Sequence, residues 1–370
     1  MDSDLLKRKE ELLHKAKEKA SVVFSREGMV IPDGLVVEQA SSATTAFFTS
    51  SLLPENITVA DLTAGLGINT YFFSLRAREV YAVELNATRA AALEENLKIL
   101  GVNNVKVICG DAVEWLKTTE LAIEAAFIDP ARRSDSGKKL FRLCDCSPNL
   151  DLLLPFLKKR CRRLLVKCSP FIDIKDALRT YPETRHVYII EYKRDVREVL
   201  LDMDFRQPID QDTSTVVSCV ILHDDNPPLK MAFAIEDIRL NRDIPFLTKT
   251  EEIKKGGFVY EPSPAFMKGG FFGVLAKKYA GLIKLDPNTH IFYSNEYKRG
   301  FPGRVFRVEG FFNSKDLKAN KGGKFNVISR NHPASPQEIM NRYRLKPSDS
   351  RFLIACSSGN KKLLLYTTRI

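Results

Sequence analysis

Val59-Ala60-Asp61-Leu62-Thr63-Ala64-Gly65-Leu66-Gly67-Ile68-Asn69-Thr70 is the stretch on which the reading of the fold turns. An apolar run ends in an acid, two glycines follow at alternate positions, and a helical pattern starts behind them. A run of this kind predicts a buried strand that carries Asp61 to the carboxyl edge of a sheet. Gly65 and Gly67 then let the backbone turn tightly and approach a ligand where any Cβ would collide.

Outward from this turn the same alternation continues. Strand-like segments at 57–61, 80–84, 105–109, 125–129 and 163–167 are separated by helical ones at 69–77, 87–100, 112–118 and 149–160. That order predicts a parallel sheet with helices on both faces. Segments 186–192, 196–203 and 215–222 follow without intervening helices and are expected to finish the sheet as antiparallel strands. Upstream, 3–24 and 38–53 read as helices. Beyond the break Asp224-Asp225-Asn226-Pro227-Pro228 the pattern is mixed, and after Pro287 it becomes short strands with one strand–helix–strand unit. The expected organisation is an N-terminal helical region (1–53), an α/β core (54–228), a connecting region (229–286) and a small α+β C-terminal module (287–370).

The chain has 370 residues and a net charge of +11. From His290 to the end there are 16 Lys and Arg against 5 Asp and Glu, whereas the preceding residues balance at 41 of each. The whole excess therefore sits in the last fifth of the chain, where it points to a polyanion, RNA above all, as partner. The seven cysteines, odd in number and irregularly spaced, fit reduced thiols in the cytoplasm rather than a disulfide framework. Residues 1–20 are rich in Lys and Glu and unlike a secretion signal. Cys144 and Cys146 have no second pair at zinc spacing, so no metal site is expected.

Two further acids stand at matching strand ends. Glu84 closes the second strand, where a carboxylate can accept both hydroxyls of a ribose. Asp111 follows the third, placed to accept from an adenine amino group, with Ala112 behind it. Singly, such acids also serve as helix caps and turn residues; three in register on consecutive strands describe a nucleoside site. A dinucleotide would call for G-x-G-x-x-G, but Thr70 occupies the third glycine position, and Asp61 would repel a pyrophosphate. A cationic cofactor, S-adenosylmethionine, suits the acid.

The fourth strand ends in Asp129-Pro130-Ala131-Arg132-Arg133 and the fifth in Lys167-Cys168-Ser169-Pro170-Phe171. Asp129, followed by Pro130, can accept from an amine or hydroxyl and aim its lone pair at a methyl group. It also reads as a plain Asp-Pro turn. Lys167 and Ser169 are expected across the cleft from it. Cys168 opens a second reading, attack by a thiolate on C6 of a pyrimidine before C5 methylation, although a buried thiol on an apolar strand is the plainer one.

The Asp61–Thr70 run with Glu84, Asp111 and Asp129-Pro130 resembles the core of class I Rossmann-like methyltransferases. More narrowly, Glu38-Gln39-Ala40-Ser41-Ser42, the Asp129–Arg133 turn, Lys167-Cys168-Ser169-Pro170, Glu261-Pro262 and the tail from Asn326 resemble a bacterial family of such enzymes with a THUMP-like C-terminal domain. The resemblance implies S-adenosylmethionine held by Asp61, Thr63, Gly65, Gly67, Glu84, Asp111 and Ala112. It places Asp129, Pro130, Lys167 and Ser169 at the reacting end. It also implies an RNA substrate, for which Arg132, Arg133, Phe171, Arg330, Arg342 and Arg344 are candidate contacts. Ala131 and Arg132 depart from the proline and aromatic found after the acid in adenine N6 enzymes, so a stacking face would have to come from Phe171 or Phe141. The expected reaction is methylation of a nucleobase nitrogen in RNA. The alternatives are C5 methylation through Cys168 and an RNA-binding protein that retains only the fold.

Overall fold

The computed structural model describes residues 2–131, 143–206 and 214–370. It divides into two compact units, residues 1–232 and 233–370.

The N-terminal unit opens with α1 (Asp2–Phe24), α2 (Gly34–Gln39) and α3 (Ala43–Ser51). Sequence periodicity predicts one helix over 38–53, but the chain breaks at 40–42, with Ala40 and Ser42 extended. The Ser42 side chain accepts from the Thr45 N–H at 3.2 Å and starts α3 afresh, the usual preference of serine for a cap over a helix interior. The break sets Ser41 free to serve the site described below.

The sheet strands are β1 (Thr58–Asp61), β2 (Glu79–Glu84), β3 (Val105–Cys109), β4 (Ile123–Ile128), β5 (Cys161–Cys168), β6 (Thr184–Tyr192), β7 (Asp195–Asp204), β8 (Val216–Leu222) and β9 (Leu229–Ala234). Their order is β3-β2-β1-β4-β5-β7-β6-β8-β9. The first five are parallel, and β7 is antiparallel to both β5 and β6. Intervening helices are α4 (Ile68–Ser74), α5 (Ala87–Leu100), α6 (Ala112–Thr118), α7 (Leu150–Arg160) and α8 (Ile174–Thr180). Most are started by a side-chain cap that the sequence supplies: Asn86, Asp111, Asn149 and Asp173. One expectation needs correcting: β8 runs parallel to β6, because after β7 the chain passes β6 and returns on its far side. The sheet is fastened to its helices by buried apolar side chains, among them Phe73, Val59, Val80, Phe127 and Leu165.

In the second unit β10 (Phe258–Pro262), β11 (Ile283–Asp286), β12 (Thr289–Ser294), β13 (Gly303–Phe311), β14 (Asn326–Arg330), β15 (Arg351–Ser358) and β16 (Lys361–Arg369) form one sheet, ordered β11-β12-β10-β13-β16-β15-β14. With them run α9 (Pro264–Gly269), α10 (Phe272–Lys278), α11 (Ser314–Ala319) and α12 (Pro336–Tyr343). The sheet curls until distant strands meet: Thr289 of β12 donates to the Ser357 carbonyl of β15 at 2.6 Å, and Asn331 donates to Thr289 at 3.1 Å. Val259, Tyr293, Phe306, Phe352 and Leu365 fill the inside. The expected boundary at 286/287 is therefore displaced. β10 and β11 fall in the stretch read as a connector, yet they are strands of the C-terminal sheet. Strands of 4 or 5 residues among lysines carry too little periodicity to be recognised singly. Among the described residues no helix is long and apolar enough to cross a membrane.

Phe73 is 2% exposed, with its ring centroid 5.4 Å from that of Phe127. Phe73→Ala is expected to lower stability in urea denaturation by about 3–5 kcal/mol. Leu152→Ala, at a side chain 59% exposed, should stay within about 0.5 kcal/mol.

Candidate active site

The glycine turn is organised from beneath by a carboxylate. Asp61, wholly buried at the end of β1, accepts from the Thr70 hydroxyl at 2.6 Å and from the Thr63 N–H at 3.2 Å. Burial pushes its carboxyl up to about 6; the neighbouring charges of Asp129 and Glu84 add to this, and the two hydrogen bonds oppose it without prevailing. The turn is also pinned laterally. The Gly65 N–H donates to Glu84 at 2.8 Å and the Ala64 N–H to the Val83 carbonyl at 2.9 Å. Gly65 and Gly67 take φ of 54° and 84°, and a Cβ on Gly67 would stand 2.2 Å from Leu93 Cδ1. Backbone conformation favours glycine at both positions, and at 67 a Cβ would also force the Leu93 side chain to shift.

Glu84 accepts one backbone N–H on each oxygen, from Gly65 and from Asn86 at 2.9 Å. Each oxygen keeps a lone pair, enough for the two hydroxyls of a ribose. Asp111 caps α6 through Oδ1, accepting from Val113 at 2.8 Å and Glu114 at 3.0 Å. Its other oxygen takes no part in the cap. Ala112 is the buried first residue of that helix. Thr63 accepts from the Asp129 N–H at 2.7 Å and so ties the glycine turn to the end of β4.

At that end Asp129 is followed by a buried Pro130 and by Ala131, which exchanges two backbone hydrogen bonds with Ser147 at 2.7 and 3.2 Å. Across from it, Lys167 near the end of β5 donates to Asp129 Oδ2 at 2.7 Å. The same ammonium donates to Ser41 Oγ at 2.9 Å and lies 3.6 Å from Glu198 Oε2. Glu198, on β7, is fully buried, and burial raises its pKa against the opposing pull of Lys167. Ser169 accepts from the Phe171 N–H at 3.2 Å and shapes the turn after β5. Phe171 itself is 77% exposed. The Cys168 thiol is buried and donates to the Val166 carbonyl at 3.6 Å. Alternation along β5 sends it to the face opposite Lys167. Arg132, Arg133 and Phe141 lie outside the described residues.

The structure thus gathers Asp61, Thr63, Gly65, Gly67, Glu84, Asp129 and Lys167 at the carboxyl ends of the parallel strands, linked by hydrogen bonds. Sequence reasoning missed Ser41, Thr49 and Glu198. Ser41 was hidden by the merged helix. Glu198 left no distinct signal, because Asp195, Arg197, Asp202 and Asp204 lie on the same strand. In the second unit Arg330 is engaged with Glu261, a carboxylate 1% exposed. It donates to one oxygen at 2.8 Å while Arg304 donates to the other at 2.6 Å. Arg342 and Arg344 are exposed.

Comparison with known proteins bears on the family and the fold. The profile of the RNA cap guanine-N2 methyltransferase family matches residues 56–131. A ferredoxin-like domain matches 258–302 and a THUMP domain-like segment 303–369. A presumed methyltransferase from Porphyromonas gingivalis W83, known as a crystal structure, is similar over 97% of this chain and 88% of its own, at 28% identity and a TM-score of 0.85. An uncharacterised protein of Methanocaldococcus jannaschii is 38% identical over 61 residues, 16% of this chain. The chain spans about a quarter of the length of that curated relative, 24%. The N-terminal unit is a class I methyltransferase core, and the C-terminal unit carries a THUMP-like domain.

Because Asp61 is protonated more readily when folded, its contribution to stability is full below its ordinary value of 3.8 and is lost as pH rises through about 6. Asp61→Asn cannot ionise, so it should gain on the wild type by about 3 kcal/mol between about pH 3 and about pH 7. Urea denaturation across that range checks this, and a pH-independent difference contradicts it.

Proposed function

We propose that the chain is an S-adenosylmethionine-dependent methyltransferase that methylates a nucleobase nitrogen of RNA, in the cytoplasm. The observation that carries this reading is the pairing of Asp129 with Lys167 beside the glycine turn. With Oδ2 committed to the ammonium, Oδ1 is the oxygen left to accept from an amine. The donor set also fits the cofactor: Asp61, Glu84 and Asp111 are acceptors suited to ribose hydroxyls, an amino group and a nearby cation. When bound, S-adenosylmethionine supplies an electrophilic methyl group on a sulfonium. Asp129 would hold the acceptor nitrogen by its N–H and turn the lone pair toward that methyl group. Asp129 would also take up the proton that methylation leaves on the acceptor nitrogen and pass it to water.

The buried Cys168 thiol supports nitrogen over pyrimidine C5, because a nucleophile has to reach its base. RNA is supported by the THUMP domain-like match over 303–369 and by the charge excess after His290. Seven free cysteines accord with a reducing compartment.

Calorimetry should show S-adenosylmethionine bound at roughly micromolar affinity, weakened by roughly 1–3 kcal/mol in Glu84→Ala. Asp129→Ala should lose about a hundredfold or more in methyl transfer to RNA while cofactor affinity holds, since its hydrogen bond acts mainly in the transition state. Binding of NADH in place of S-adenosylmethionine would refute the reading.

For the RNA grip we expect different effects from the exposed arginines and from Arg330, which is paired with Glu261. Arg342→Ala and Arg344→Gln should each lower the salt dependence of RNA binding by roughly 0.7 in log–log slope on single strands. Arg330→Ala should chiefly lower the melting temperature, because it strips a partner from buried Glu261. Filter binding and thermal melts distinguish the two effects.

A further inference from the structure

Lys167 is buried to 6% side-chain exposure, and its ammonium has three N–H donors to place. Three acceptors meet it from three elements: Asp129 after β4, Ser41 in the break between α2 and α3, and Glu198 on β7. The reversal of β7 explains the third. Antiparallel to β5, it begins at the cleft end where β5 finishes, with Cys168 opposite Val199, so Glu198 arrives beside Lys167. A buried ammonium needs one compensating charge, and Asp129 provides it. A second carboxylate taken wholly out of water is an expense that folding alone does not require.

We propose that Glu198 is a positioning residue of the methyl-transfer site, drawing the Lys167 ammonium away from the cleft so that it meets only one oxygen of Asp129. The inference rests on the function proposed above. Held between two carboxylates, the ammonium sits 2.7 Å from Asp129 Oδ2, and Oδ1 stays available to the methyl acceptor. With Glu198 gone, its full attraction falls on Asp129, and the ammonium moves to straddle both oxygens and competes with the acceptor. The surroundings reinforce the arrangement. The Thr49 hydroxyl donates to Glu198 Oε1 at 3.4 Å. Lys19 donates to the Glu38 and Ala40 carbonyls at 2.6 and 2.9 Å, fastening the break that carries Ser41.

The test is a double-mutant cycle of Glu198→Gln and Lys167→Met, read as transfer of tritiated methyl from S-adenosylmethionine to total RNA from cells lacking the protein. Glu198→Gln should lower kcat roughly tenfold with KM for S-adenosylmethionine unchanged, and should add less than about twofold in the Lys167→Met background. Multiplying losses, or a change confined to KM and melting temperature, overturn the proposal. If Glu198→Gln does not fold, Glu198→Asp, which keeps the charge but withdraws it by one methylene, takes its place in the cycle. Wild-type protein that transfers no methyl to RNA would sink the RNA reading separately. A crystal structure of Glu198→Leu then decides the geometry: an ammonium bridging both Asp129 oxygens upholds the proposal, and an unchanged contact to Oδ2 alone defeats it.

Discussion

A carboxylate taken out of water has to be satisfied by the chain around it, and in this protein Asp61 is satisfied by the very loop it organises. Its two hydrogen bonds, from Thr63 and Thr70, span the glycine turn from one end to the other. From there the constraint spreads. Thr63 holds the backbone of Asp129, Glu84 holds Gly65, and the turn has no freedom to relax toward bulkier residues. Asp61 therefore acts as the fastening of the glycine turn.

This explains how three acids on three strands share the work. Glu84 keeps a lone pair on each oxygen, Asp111 commits one oxygen to a helix cap, and Asp61 is spent inside. The cluster about Lys167 is built from elements far apart in sequence: Asp129 and Glu198 meet it because β4 and β5 end where β7 begins, and Ser41 joins from the break between α2 and α3. An ammonium shared among several acceptors makes the position of Asp129 a property of the whole sheet edge rather than of one side chain.

Much of this was legible from sequence. The five parallel strands, the glycine turn and the acids at the strand ends follow from periodicity and residue type, because each rests on local pattern. What stayed hidden depended on tertiary meeting. Ser42 looked like a helix interior residue until its capping role split the helix. Glu198 stands 31 residues from Lys167 in the chain, and only the pairing of β7 with β5 brings the two together. The C-terminal sheet could not be delimited because β10 and β11 are too short to show a period alone. Arg330 read as a candidate RNA contact, since nothing in the sequence couples it to Glu261, 69 residues away.

The central claim is that Asp129 directs methyl transfer to a nitrogen of an RNA base. Its most direct test is mass spectrometry of nucleosides from RNA of cells that lack the protein, regain the wild type, or carry Asp129→Ala. The account predicts an N-methylated nucleoside that disappears on loss, returns with the wild type and stays absent with the variant. Identical nucleoside profiles in all three, or a C5-methylpyrimidine as the nucleoside lost, would contradict it.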